Sequence, residues 1–68
     1  MRISARNQLP GIVAAVTPGA VNGTVKVDIG NGLHVTASIT EEAIAELALT
    51  PGDAVTIIVK ASDVLIGK

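Results

Sequence analysis

The chain has 68 residues, 49% of them hydrophobic, with no cysteine and no aromatic residue, and its 5 Lys+Arg stand against 6 Asp+Glu for a formal net charge of −1. A domain of this length buries only about 60% of the surface its unfolded chain exposes, and without cysteine it has no disulfide or thiolate metal site to stabilise it, so association between copies is expected. The missing aromatics and the even charge balance argue against nucleic acid, which needs stacking platforms over a basic groove, and no segment approaches the roughly 20 apolar residues of a membrane span.

The opening "MRISARNQLPG" is polar and lacks the apolar stretch of a signal peptide, so a cytoplasmic location is expected. From Gly11 the run "GIVAAV" predicts a first strand, closed by a Pro18-Gly19 turn. In "VNGTVKVDIGNG", Val25, Val27 and Ile29 alternate with Thr24, Lys26 and Asp28, the period of a half-buried strand. Gly30-Asn31-Gly32 tolerates positive φ and predicts a hairpin, after which Leu33, Val35, Ala37 and Ile39 resume the alternation. Thr40 suits an N-cap, with Glu41 and Glu42 where the helix dipole favours negative charge. A short helix is expected to turn Ile44, Leu47 and Ala48 inward.

"TPGD" at Thr50 to Asp53 is a further turn, and "AVTIIVKA" and "DVLIG" predict two last strands. Ile58 lies on the nominally polar side of its strand, which requires either a covered second face or a packed subunit. The pattern is β-β-β-α-β-β over residues 1–68, a single mainly-β domain. A small OB-like barrel of about five strands, with one short helix between strands 3 and 4, has this connectivity.

An enzyme is not expected. There is no cysteine nucleophile, no paired metal-binding histidines and a single histidine, His34, on a strand. Glu41 and Glu42 are explained by the helix dipole, and "GNG" opens no helix and so is no phosphate loop. Two short segments remain. In an extended chain alternate side chains share a face, which pairs Ser4 with Arg6 across Ala5, and Lys60 with Ser62 across Ala61. Together they would offer two cations, two hydroxyls and backbone N–H groups to a tetrahedral oxyanion, whose oxygens only accept hydrogen bonds. Taken alone, such spacing is more often that of solvated strand ends on which Arg6 and Lys60 pair with acids.

"SARNQLPG" together with "VKASDVLIG", with the "VKVDIGNG" hairpin and "ITEEAIAELAL" between them, resembles the molybdate-binding Mop family, the molbindins, whose unit is of TOBE type. The resemblance covers essentially the whole chain and is to the stand-alone members. It implies a hexamer, a trimer of dimers, that holds molybdate or tungstate at subunit interfaces for cytoplasmic storage and homeostasis, with no organic cofactor. Carried over by position, Ser4, Ala5 and Arg6 match the family's "SAR" ligands and Lys60, Ala61 and Ser62 its "KAS" ligands, the two segments coming if need be from different subunits. Asn7 is expected to order the strand end. The family's second site, on the threefold axis, points to Gly19, Ala20 and Val21. Pro10 departs from the pattern and puts the strand pairing after Leu9 in question. The alternative function is a molybdate-sensing module acting on a transporter or transcription factor; an OB-fold nucleic-acid binder ranks below both.

Overall fold

Alternation of β-branched residues with Thr, Lys and Asp builds the central hairpin of the protein, here a computed structural model that describes residues 2–68. Strand β2 (Asn22–Gly30) buries Gly23, Val25 and Val27 on one face and exposes Thr24, Lys26 and Asp28 on the other. It pairs antiparallel with β3 (Leu33–Thr40) through a turn in which Gly30, Asn31 and Gly32 all have positive φ. The Asp28 carboxylate accepts from the Gly30 N–H at 2.8 Å and fixes the start of that turn.

Thr40 ends β3 and caps helix α1 (Glu41–Glu46), its hydroxyl accepting from the Ala43 N–H at 3.1 Å. The Glu41 carboxylate accepts from the Gly19 N–H at 2.7 Å and the Glu41 N–H donates to the Val21 carbonyl at 2.8 Å, which fastens the 18–21 loop to the helix start. The helix stops after six residues. Ala48 takes φ +49, and the Leu49 N–H donates back to the Ile44 carbonyl at 3.1 Å, closing the last turn. Ile44 is buried as expected. Leu47, expected inside, is 65% exposed, and Ala48 is exposed too, because the left-handed residue reverses the chain and sends Leu49 to the core in their place.

A second turn, Thr50 to Asp53 with Gly52 at φ +96, leads into β4 (Ala54–Val59). With a first strand β1 over Asn7–Thr17, the sheet order is β3-β2-β1-β4, all pairs antiparallel, so β3 and β4 are its two edges. The first strand starts four residues earlier than the sequence predicts. Its first half, Asn7 to Ile12, pairs with β4, and its second half, Ile12 to Thr17, pairs with β2 around a bulge at Ala14. Pro10 interrupts nothing. The Val13 N–H donates to Asp53 on the β4 side, so by alternation the nitrogen of Pro10 faces the β2 side, where pairing begins only at Ile12.

Val13, Val25, Val27 and Ile44 form the buried core, with Val16, Ile29, Ile39, Leu49, Val55 and Ile57 packed against it. Among the described residues the expected fifth strand is not formed and the sheet has four. Residues 61–63 form a 3₁₀ turn, and from Val64 onward the chain has no ladder partner, leaving Leu65 91% and Ile66 90% exposed. Between the two free edges an apolar groove runs over the core, lined by Ala37 and Ile39 of β3, Leu47 and Leu49, and Ile57 and Ile58 of β4. Ile58 therefore belongs to an uncovered surface, 39% exposed.

Candidate functional site

Strand pairing between β1 and β4 places the chain entering β1 next to the chain leaving β4. Asn7 is opposite Val59 in the ladder, and the Asn7 side-chain amide also donates to the Val59 carbonyl at 3.2 Å, ordering this end of the strand. The residues just outside the ladder on each side, Ser4, Ala5 and Arg6 on one and Lys60, Ala61 and Ser62 on the other, line one open hollow together with Ile3. Both predicted segments therefore meet within a single chain.

The route differs from the expected one. Neither segment is an extended strand: Ser4 and Arg6 are bends before β1, and Lys60 leads directly into the 3₁₀ turn at Ala61–Asp63. That turn is closed by the Asp63 N–H donating to the Lys60 carbonyl at 2.9 Å. Alternation across Ala5 and Ala61 is thus not what brings the side chains together; curvature of both chain ends around one point is.

Ala5 is half-buried, whereas Ser4, Arg6, Lys60, Ala61 and Ser62 are exposed. A guanidinium, an ammonium and two hydroxyls around one hollow form a donor-rich set without a carboxylate among its lining residues. Such a set suits an anion that accepts from every direction. It does not suit a cation, and among the described residues no group of three His, Cys, Asp or Glu could hold a metal ion.

Gly19, Ala20 and Val21 lie together in the exposed loop between β1 and β2, Val21 being 72% exposed. The Gly19 N–H is already engaged by Glu41, and a Cβ at Gly19 would overlap the Asn22 carbonyl oxygen. His34 is exposed on β3, opposite Asp28 and outside both regions. Two contributors escaped the sequence reading. Ile3 forms part of the hollow's wall, and the Gln8 amide donates to the Ala5 carbonyl at 2.9 Å; an apolar residue and a glutamine near a strand start carry no signal of such roles.

A family model described as the TOBE domain matches residues 3–66. A probable molybdenum-pterin-binding protein of Haemophilus influenzae is 42% identical over 67 residues, which span 98% of this chain and 97% of that protein. Among solved structures, a molybdate-binding protein from Sporomusa ovata superposes with a TM-score of 0.93 at 38% identity, with 100% of both chains covered. The cytoplasmic molybdate-binding protein ModG, in a form with molybdate bound, superposes with a TM-score of 0.90 at 43% identity, covering 96% of this chain and 46% of that one.

Proposed function

Because this chain belongs to the TOBE-domain family and, within it, to the Mop group of molybdenum-pterin-binding proteins and molbindins, we propose that it binds molybdate, and tungstate with it, for intracellular molybdenum storage and homeostasis in the cytoplasm. The observation that carries the reading is the hollow that gathers Ser4, Ala5 and Arg6 with Lys60, Ala61 and Ser62. No covalent step is involved and the protein is not an enzyme. Binding removes a dianion from water and replaces its hydration by charge-assisted hydrogen bonds from Arg6 and Lys60 and by the hydroxyls of Ser4 and Ser62. With a net charge of −1 the protein's overall field does not draw anions in, so the attraction is local to these two cations.

In a single chain the hollow faces water, where each donor is solvated and an ion pair is worth little. Closure by a second copy would exclude that water and strengthen every contact. This supports sites at subunit interfaces in a homo-oligomer, the hexamer of three dimers being the assembly we favour. The exposed Leu65 and Ile66 and the uncovered groove between β3 and β4 support the same reading, since one surface offers apolar side chains without cover and the other an apolar trough without contents. The loop Gly19 to Val21 is the candidate for a second oxyanion region.

Elemental analysis of the native oligomer, with its mass measured in parallel, tests the proposal. Molybdenum retained through gel filtration in a fixed ratio to an assembled species is the expected result. A monomer that carries no molybdenum under saturating molybdate would overturn both the ligand and the interface. A molybdate sensor would instead show a transporter or transcription factor that joins and leaves with the ion.

A further inference from the structure

Residues Ser4 to Arg6 lie before β1, so no ladder bond sets the orientation of their peptide planes. That orientation decides whether the segment attracts or repels an anion. A backbone N–H facing the hollow is a donor, and a carbonyl in the same place is a fixed negative dipole. One hydrogen bond addresses this directly: the Gln8 side chain donates Nε2–H to the Ala5 carbonyl at 2.9 Å. The partner is a carbonyl oxygen, which only accepts, so the amide nitrogen of Gln8 must be the atom that meets it. No peptide bond of the described residues is cis, and in a planar trans peptide the carbonyl and the following N–H point in opposite directions. Holding the Ala5 carbonyl on the Gln8 side therefore leaves the Arg6 N–H on the other.

We propose that Gln8 is a positioning residue for oxyanion binding: by holding the Ala5 carbonyl away from the hollow, it presents the Arg6 backbone N–H to the bound anion. The inference rests on the molybdate reading of the hollow. Gln8 is itself exposed and is not among the residues that line the hollow. It therefore acts through the Ala5–Arg6 peptide and touches no ligand. The half-buried Asn7 adds a second brace, tying the end of this segment to Val59, the residue before Lys60.

The test compares the full-length protein with Gln8→Met, which keeps the side chain's length and removes its donor. Molybdate is titrated calorimetrically, the Arg6 amide resonance is followed by NMR, and the melting temperature and mass are recorded without ligand. Wild-type protein is expected to show a downfield shift of the Arg6 amide proton on adding molybdate. Gln8→Met is expected to lose most of that shift and to bind molybdate roughly five- to tenfold more weakly, the loss of about one neutral hydrogen bond, with unliganded melting and mass unchanged. If wild type binds molybdate and Gln8→Met binds it equally well with the same Arg6 shift, the positioning role is overturned while the function stands. If wild type binds no molybdate, the functional reading falls and this inference with it.

Discussion

Replacing Leu65 and Ile66 together by Ser tests whether the uncovered apolar tail holds the assembly together. In the single chain the two side chains are 91% and 90% exposed and contribute no packing, so the substitution removes no contact from the fold itself. Fully burying a Leu or Ile side chain is worth roughly 1.5–3 kcal/mol, so two that become covered against a neighbour contribute roughly 3–6 kcal/mol per tail. Serine keeps the backbone and its hydrogen bonds, and the difference is mainly this transfer energy. It corresponds to a loss of about two to four orders of magnitude in association per docked tail. Light scattering coupled to gel filtration over a dilution series reads this directly. The doubly substituted protein should fall to a smaller species at concentrations where the wild type is still assembled, with its strand content unchanged by circular dichroism. Equal masses at every dilution would refute the argument, and loss of folded structure would show that the tail packs on its own chain.

Three further outcomes follow from particular contacts. Arg6→Ala should weaken molybdate binding by about tenfold or more in calorimetry, since a charge-assisted hydrogen bond is lost, while the oligomer keeps its mass; unchanged affinity would remove Arg6 from the site. Gly23→Ala should lower thermal stability by about 1 kcal/mol, roughly 4–8 °C in a domain of this size, because the added Cβ would displace the buried Ile44 Cδ1 at 2.5 Å and Glu41 Oε1 at 2.7 Å and sit 3.1 Å from the Thr17 carbonyl oxygen. Ala48→Gly should raise stability by about 0.5–1 kcal/mol in a thermal melt, since Ala48 is held at φ +49 where a Cβ is unfavourable and its side chain is exposed; a lower melting temperature would contradict this.

The central hairpin and the helix start were legible because their signals are local. Val25 and Val27 alternate with polar residues over one strand, and Thr40 followed by Glu41 and Glu42 needs no distant partner to act as a cap. Where the outcome depends on residues far along the chain, local pattern misled. Asn7 to Pro10 looked like a polar lead-in, yet it is strand because β4, some fifty positions later, pairs with it and because the missing N–H of Pro10 falls on the unpaired side. Leu47 has helical spacing from Ile44 but follows the last helical residue, and the reversal at Ala48 is invisible in a sequence that has Ala and not Gly there. "DVLIG" has strand composition, yet among the described residues it joins neither free edge of the sheet. The residue types of the hollow were legible from "SAR" and "KAS", though the alternation offered as the reason was not how the fold unites them.

Strand β1 runs from the donor-rich hollow at its beginning to the Gly19–Val21 loop just beyond its end. Its 11 residues, at about 3.3 Å each and allowing for the bend at the bulge, set the two regions roughly 30 Å apart. That is nearly four times the screening length of about 8 Å in physiological salt. On the proposed reading, a dianion at one end would therefore be largely screened from a dianion at the other end of the same chain. Were both regions of one chain to bind an anion, coupling between them would have to pass through the fold and should survive changes in ionic strength.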